Sequence, residues 1–99
     1  MIRGTTPTLE FTLPFDTEFL AEAYITIAQN NEAVIDKAME ECVTEGNKLS
    51  VKLTQEETLK LKHEYMSEIQ IRVRTKEGVA LASGIIRKDT GRILRDGVI

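Results

Sequence analysis

The chain has 99 residues, a length that accommodates one domain, and its composition is that of an ordinary globular protein. Hydrophobic residues make up 41% and charged residues 29% of the chain, a balance that argues against disorder. The formal net charge of -3 argues against nucleic-acid binding, which depends mainly on neutralising phosphates with Lys and Arg. No apolar run approaches the ~18 residues of a membrane span, and the N-terminus lacks the features of a signal peptide.

The first two segments with a regular pattern predict β-strands. Leu9, Phe11 and Leu13 alternate strictly with polar residues, which is the period of a half-buried strand over residues 8–13. Residues 23–28 follow, and most of them are β-branched or aromatic residues that favour strands.

The region after the second strand is compatible with two structures. Residues 29–32 include two Asn and predict a turn, so that residues 33–37 form the returning strand of a hairpin. A helix fits residues 32–42 equally well on pattern alone, because five apolar residues there have the spacing of one helix face. They are Val34, Ile35, Ala38, Met39 and Cys42. The family resemblance described below favours the strand.

Another strand and a helical turn come next. Residues 48–53 alternate as strictly as the first strand and direct three apolar side chains inward. These are Leu49, Val51 and Leu53. Thr54 and Glu57 then have the spacing of a capping box, which predicts a single helical turn near residues 55–61 with a leucine pointing into the core.

The last third of the chain predicts a second hairpin. Tyr65 leads a strand with alternating apolar residues, and a turn over residues 75–78 returns the chain. The inward residues of the strand that Tyr65 leads are Ile69, Ile71 and Val73. The returning strand, residues 79–86, is expected to be broken or bulged near Ser83 and Gly84.

Together these elements predict an all-β fold. Six to seven short antiparallel strands, separated by turns at roughly ten-residue spacing, indicate a β-sandwich with one helical turn near residues 55–61. We expect a single domain over residues 1–99. The helical turn followed by a Tyr-led strand resembles the corner between the sheets of immunoglobulin-like domains, although the Cys–Trp–Cys signature of antibody domains is absent.

The sequence contains no recognisable pattern of a catalytic or metal site. His63 is the single histidine, and no Ser or Cys nucleophile lies in a known motif. Cys42 is the single cysteine, and its neighbours Glu40, Glu41 and Glu45 favour a raised rather than a lowered thiol pKa. The glycines are scattered and form no phosphate-binding loop. We therefore expect no enzyme activity, catalytic residue, cofactor, metal or small-molecule substrate.

Some apolar residues exceed what a small sandwich needs for its core. They are Phe15, Phe19, Leu20, Ile93, Leu94, Val98 and Ile99. Either the connection after the first strand packs over an open end of the sandwich, or these residues contact another protein subunit. Unpaired edge strands offer a further route to contact, because an apolar tail can pair with the edge of a neighbour.

Nearly the whole chain resembles a family of short proteins encoded in phages and prophages of Gram-positive gut bacteria. The stretches that carry the likeness are Met1–Thr8, Phe11–Phe15, Lys52–Glu56, Glu68–Val73 and Gly91–Ile99. The chain is also similar, more distantly, to the immunoglobulin-like N-terminal module of phage baseplate upper proteins. Residues 83–90 depart from that pattern by being more polar and turn-like, so the register of the last strand stays open.

The resemblance implies a structural or adaptor protein of the virion, associated with the tail or baseplate and acting by protein–protein contact. Its partners would be other virion proteins and further copies of itself as a homo-oligomer, with no nucleic acid and no membrane. It would reside in the host cytoplasm during synthesis and then in the virion. Two alternatives are a β-sandwich module that binds carbohydrate or the host surface, and a small prophage-encoded regulatory protein.

Overall fold

A computed structural model describes all residues from Met1 to Ile99 and contains eight β-strands and one short α-helix. The strands are β1 (Thr8–Thr12), β2 (Leu20–Gln29), β3 (Glu32–Ala38), β4 (Val43–Glu45), β5 (Lys48–Lys52), β6 (Ser67–Thr75), β7 (Ala80–Ala82) and β8 (Ile86–Lys88). The α-helix is α1 (Gln55–Leu59), and two 3-10 turns span Thr17–Phe19 and Met39–Glu41. No helix in the structure is long and apolar enough to cross a membrane.

The strands form two antiparallel sheets of different width. The narrow sheet has the order β1-β5-β4. The wide sheet has the order β3-β2-β6, and both β7 and β8 pair with the free side of β6. The predicted all-β fold is therefore confirmed, with eight strands instead of six to seven, because β4 was not predicted and the last strand is in two pieces.

The core is sealed between the two sheets by the alternation that the sequence predicts. Thirteen hydrophobic residues are buried in one cluster, and both sheets contribute to it. Ile25 and Ile27 of β2 are fully buried, as are Leu49 of β5 and Leu53 just after it. The predicted leucine of the helical turn is Leu61, which is buried beyond the end of α1. The core of a β-sandwich ordinarily consists of alternate strand residues that meet between the two sheets.

Residues 32–38 form a strand rather than a helix because of the turn that precedes them. Asn30 and Asn31 both have positive φ, at 51° and 64°. Two residues in this conformation form the hairpin turn whose twist matches that of the flanking strands, and Asn adopts it more readily than most residues. The chain therefore runs back antiparallel to β2 after this turn. Within residues 32–42, only the 3-10 turn Met39–Glu41 is helical.

The expected break in the last strand is confirmed and shifts the register by one residue. Val73 lies opposite Leu81, whereas Ile69 lies opposite Ile86, so the returning strand contains one residue more than β6 over this interval. Ser83 fixes the break: its N–H donates to Ile71 O at 3.0 Å, and its hydroxyl accepts from the Ile71 N–H at 3.2 Å. The break is a β-bulge held by hydrogen bonds.

A buried polar cluster around Gln29 ties the end of β2 to the segment that precedes β6. The amide nitrogen of Gln29 lies within hydrogen-bond distance of Lys62 O (2.8 Å), Thr90 Oγ1 (3.1 Å) and Tyr65 O (3.2 Å). Its Oε1 accepts from the Lys62 N–H at 2.8 Å. Thr90 Oγ1 also lies 2.6 Å from the Ser67 hydroxyl. The Gln29 side chain therefore fastens the connection between α1 and β6 to the end of β2.

Replacing Gln29 with Leu is expected to lower the free energy of unfolding by about 2–4 kcal/mol, because several buried backbone and hydroxyl groups lose their partner. Urea unfolding followed by circular dichroism measures the loss. The matched control is Gln70→Leu, since the Gln70 amide makes a single bond to Ser83 O at 2.8 Å and should cost about 1 kcal/mol. Equal losses for the two variants would contradict the fastening role of Gln29.

Candidate functional site

The side of the sandwich between β1 and β7 is open. β1 is the end strand of the narrow sheet, and β7 and β8 form the end of the wide sheet on the same side of the molecule. Between them lies a cleft of about 470 Å³ with a mainly apolar lining. The lining residues are Glu10, Phe11, Thr12, Leu13, Pro14, Phe15, Ile71, Val73, Leu81, Ala82, Ser83 and Ile86. A cleft of this volume is in the range of binding pockets.

The β-bulge turns two large side chains toward this cleft. Leu81 pairs with Val73 and Ile86 pairs with Ile69, and both partners are buried inward-facing residues of β6. Successive strand residues point to opposite faces, so Leu81 and Ile86, an odd number of positions apart, would lie on opposite faces of a regular strand. The extra residue in the bulge brings both to the inward face, where the narrow sheet does not cover them fully.

The edge of β1 that borders the cleft consists of unpaired backbone groups. The Leu13 N–H donates to Asn47 O at 2.8 Å, and the Leu53 N–H donates to Pro7 O at 2.9 Å. Hydrogen-bonded and non-bonded pairs alternate along an antiparallel ladder. These two bonds therefore show that the odd-numbered residues of this segment direct their backbone N–H and C=O groups to β5. The even-numbered residues direct their N–H and C=O groups away from the sheet. These residues are Thr8, Glu10 and Thr12.

A smaller cleft of about 260 Å³ extends the apolar surface along β7. Phe15 and Leu81 line both clefts and so connect them. Phe19 and Val79, which are 52% and 50% exposed, lie at the far end. We call the resulting surface the edge surface; its residues are Phe11, Phe15, Phe19, Val79, Leu81 and Ile86. Large apolar side chains grouped in this way are typical of protein contact sites.

The structure divides the residues that the sequence suggested as contacts. Phe15 and Phe19 belong to the edge surface. Leu20 does not, because it is only 3% exposed and is part of the core at the start of β2. Its inclusion among the contact residues is corrected by this burial. The sequence did not separate them, since all three are apolar residues in one connection, and the 3-10 turn that directs Leu20 inward has no strong signal.

The C-terminal residues suggested as contacts lie elsewhere in the molecule. They are Ile93, Leu94, Val98 and Ile99. The Ile99 N–H donates to Gln55 Oε1 at 2.8 Å, and Asp96 forms an ion pair with Arg3 at 3.3 Å. Leu94 and Ile99 remain 92% and 88% exposed. The segment therefore lies against α1 and the N-terminal residues, has no strand structure, and contributes nothing to the lining of the cleft.

A charged cluster at the opposite edge of the wide sheet joins β3 to α1. Lys37 is the one buried charged residue, and its Nζ lies 2.7 Å from Glu57 Oε2 and 3.0 Å from Glu41 Oε2. Burial acts to lower the pKa of Lys37, but hydrogen bonds to both carboxylates outweigh it and raise the pKa above its ordinary value. The only sign of this inward lysine in the sequence is that it shares a strand face with Ile35, and it was not predicted.

The two carboxylates of this cluster have lowered pKa values. Burial acts to raise the pKa of Glu57, but hydrogen bonds from Lys37 and from the Thr54 N–H outweigh it. The hydrogen bond from Lys37 is the main cause of the lowered pKa of Glu41. Glu57 also completes the predicted capping box, because its N–H donates to Thr54 Oγ1 at 3.1 Å and its Oε1 accepts from the Thr54 N–H at 2.9 Å. The three charged side chains therefore pair with one another and have a structural role.

The remaining reactive side chains do not come together into a site. The pKa of the Cys42 thiol is raised, as predicted, but burial is the main cause and the neighbouring carboxylate of Glu41 is only the second. His63 and Glu64 lie in a turn, with His63 Nδ1 2.8 Å from Glu64 Oε1. No group of three His, Cys, Asp or Glu side chains is arranged to hold a metal ion.

No protein-family model, curated protein or solved structure matches this chain. The two unusual features of the molecule are the apolar cleft and the unpaired edge of β1 beside it.

The charged cluster predicts a specific dependence of stability on pH. Lowered carboxylate pKa values contribute stability above the ordinary carboxylate pKa, and this is lost as pH falls through the folded-state values. The raised pKa of Lys37 contributes stability below the ordinary lysine pKa of 10.5, which is lost as pH rises through the folded-state value. The full contribution is therefore present between about pH 5 and pH 10.

Lys37→Met is expected to cost about 1 kcal/mol at pH 7 and clearly less at pH 3, because acidification toward the lowered carboxylate pKa values weakens the ion pairs that the wild-type protein makes. Urea unfolding at the two pH values measures the difference. Lys48→Met is the control, because Lys48 pairs with Glu10 at 3.6 Å with both side chains 57% exposed and should change little at either pH. A cost for Lys37→Met that is the same at both pH values would contradict the ion-pair account.

Proposed function

We propose that this protein is a structural or adaptor component of a phage particle, associated with the tail or baseplate, and that it acts by protein–protein contact through the edge surface. The observation that carries the proposal is the open apolar cleft between β1 and β7. Its chemistry fits a protein partner, because it offers apolar side chains and free backbone groups rather than convergent polar groups for a small molecule.

The exposed side chains of the edge surface support contact with a partner. Leu81 and Ile86 are 42% and 44% exposed although they face inward from the end of the wide sheet. Water contact with large apolar side chains is unfavourable by about 25 cal/mol for each Å². Covering the edge surface would therefore stabilise a complex, and monomeric proteins seldom leave such a surface without a use.

The strand order supports the immunoglobulin-like part of the proposal. In immunoglobulin nomenclature, β1-β5-β4 corresponds to strands B-E-D, and β3-β2-β6 with β7 and β8 corresponds to C′-C-F-G. The helix α1 then lies between strands E and F, at the corner that links the sheets. This assignment leaves strand A without a counterpart in the narrow sheet. It agrees with the resemblance to the N-terminal module of phage baseplate upper proteins, on which the placement in a virion rests.

Co-sedimentation with particles tests this function. In a bacterium whose prophage encodes the chain, we expect the wild-type protein to travel with purified particles through a density gradient. Leu81→Asp should shift most of the protein to the free fraction, because a carboxylate would have to be desolvated in the contact. Val43→Asp, at a 69% exposed position on β4 away from the cleft, is the matched control and should remain with the particles.

Melting curves of both variants must resemble that of the wild type, so that unfolding does not explain a loss. Wild-type protein that stays in the free fraction would contradict the virion assignment. Retention of a folded Leu81→Asp variant at the wild-type level would show that the edge surface is not the contact.

A further inference from the structure

We propose that the open edge of β1 receives an extended segment of another virion protein, which adds a fourth strand to the narrow sheet. Its alternate apolar side chains would fill the cleft, and a basic side chain would lie opposite Glu10. The inference rests on the proposed function and deepens it by naming the chemistry of the partner segment. Strand addition of this kind obtains its affinity from main-chain hydrogen bonds and its specificity from pockets for alternate side chains.

A strand position beside β1 is vacant. The wide sheet is four positions across and the narrow sheet three, so the inward side chains of β7 and β8 have no strand opposite them. The residues before β1 do not take this position. The Arg3 N–H donates to Gly91 O at 3.0 Å, and the Gly91 N–H donates to Met1 O at 2.7 Å, which directs the N-terminal residues to the segment after β8. An added strand would cover Leu81 and Ile86.

The free backbone groups of β1 are arranged as a pairing strand requires. The N–H and C=O groups of Thr8, Glu10 and Thr12 point to the vacant position, in the alternation that an incoming strand needs. The register of β1 with β5 has no shift, so this edge is regular over its whole length. Pro14 follows and has no N–H to offer, which limits the added strand to about five residues, or roughly 17 Å.

The charge beside the vacant position favours a basic side chain on the incoming strand. Glu10 is the only charged residue that lines the cleft, and its side chain is 57% exposed. Its ion-pair partner Lys48 belongs to β5, on the opposite side of β1 from the vacant position. A Lys or Arg on the incoming strand would complete the pairing across the new edge. A second copy that pairs its own β1 about Glu10 would instead place two carboxylates directly opposite each other, which disfavours self-association in that register.

Peptide binding tests the inference directly. The probe is a fluorescein-labelled peptide Val-Thr-Val-Lys-Val-Thr-Val, and the matched peptide has Glu in place of Lys; fluorescence anisotropy measures both affinities. We expect the Lys peptide to bind wild-type protein about two- to fivefold more tightly, as one exposed cross-strand charge pair allows. Glu10→Lys should reverse the preference. Equal affinities for wild-type and Glu10→Lys proteins would overturn the role of charge.

Two further comparisons test strand addition itself. Two N-methylated peptides block opposite edges of the probe: one carries methyl groups on the three Val amides after the first residue, and the other carries them on the Thr and Lys amides. Only one of these two peptides should lose binding, because only one edge of the added strand pairs with β1. Thr12→Pro should weaken binding more than fivefold, since its N–H faces the vacant position. Thr44→Pro, on the outer edge strand β4 of the same sheet, should not. Binding that is insensitive to both comparisons would reduce the contact to apolar adhesion and overturn the inference.

The outcomes separate this inference from the proposed function. Failure of every peptide to bind, with wild-type protein still on the particles, overturns strand addition and leaves the virion role standing. Sedimentation that shows a dimer, broken by Thr12→Pro, assigns the vacant position to a second copy and overturns the choice of partner. Wild-type protein absent from the particles contradicts the virion role whatever the peptides do.

Discussion

One core must be sealed between two sheets of unequal width, and the rest of the molecule follows from this constraint. The cluster of 13 buried residues is covered by three strands on one side and by four strand positions on the other. Ile25 and Ile27 lie at its centre and are fully buried. The mismatch falls at the end where Leu81 and Ile86 project inward without a strand opposite them. The cleft is therefore a consequence of the sheet widths rather than of a loop added to the fold.

The β-bulge at Ser83 determines how apolar that end is. Without the extra residue, either Leu81 or Ile86 would point to solvent on the outer face, and the cleft would lose half of its outer apolar lining. Ser83 holds the bulge through its backbone and its hydroxyl, both bonded to Ile71. A short segment between two strands of three residues each thus fixes the side-chain orientations on which the contact surface depends.

Local patterns predicted most of the fold, and long-range relations account for what they missed. Strict alternation in β1 and β5, the Thr54 capping box and the break near Ser83 were each readable within a few residues. The strand at residues 32–38 was not, because Lys37 and its neighbours also favour a helix and the Asn turn decides the outcome. The width of each sheet depends on pairing between distant segments, so the cleft could not be predicted from local patterns. The burial of Leu20 depends on the 3-10 turn before it, which has no strong sequence signal.

The four sheet edges of the molecule, one of which β7 and β8 share, differ in how well they are protected, and the difference favours β1 as the contact edge. β3 contains a register shift and an inward charge, Lys37, which both discourage pairing. β4, β7 and β8 have only three residues each, too short to support much pairing. β1 is regular, five residues long and adjoins an apolar cleft. The features that limit pairing at this edge are Glu10 and Pro14, which follows β1. A charge at an edge repels some strands and attracts others. An edge guarded by one carboxylate is thus selective rather than closed.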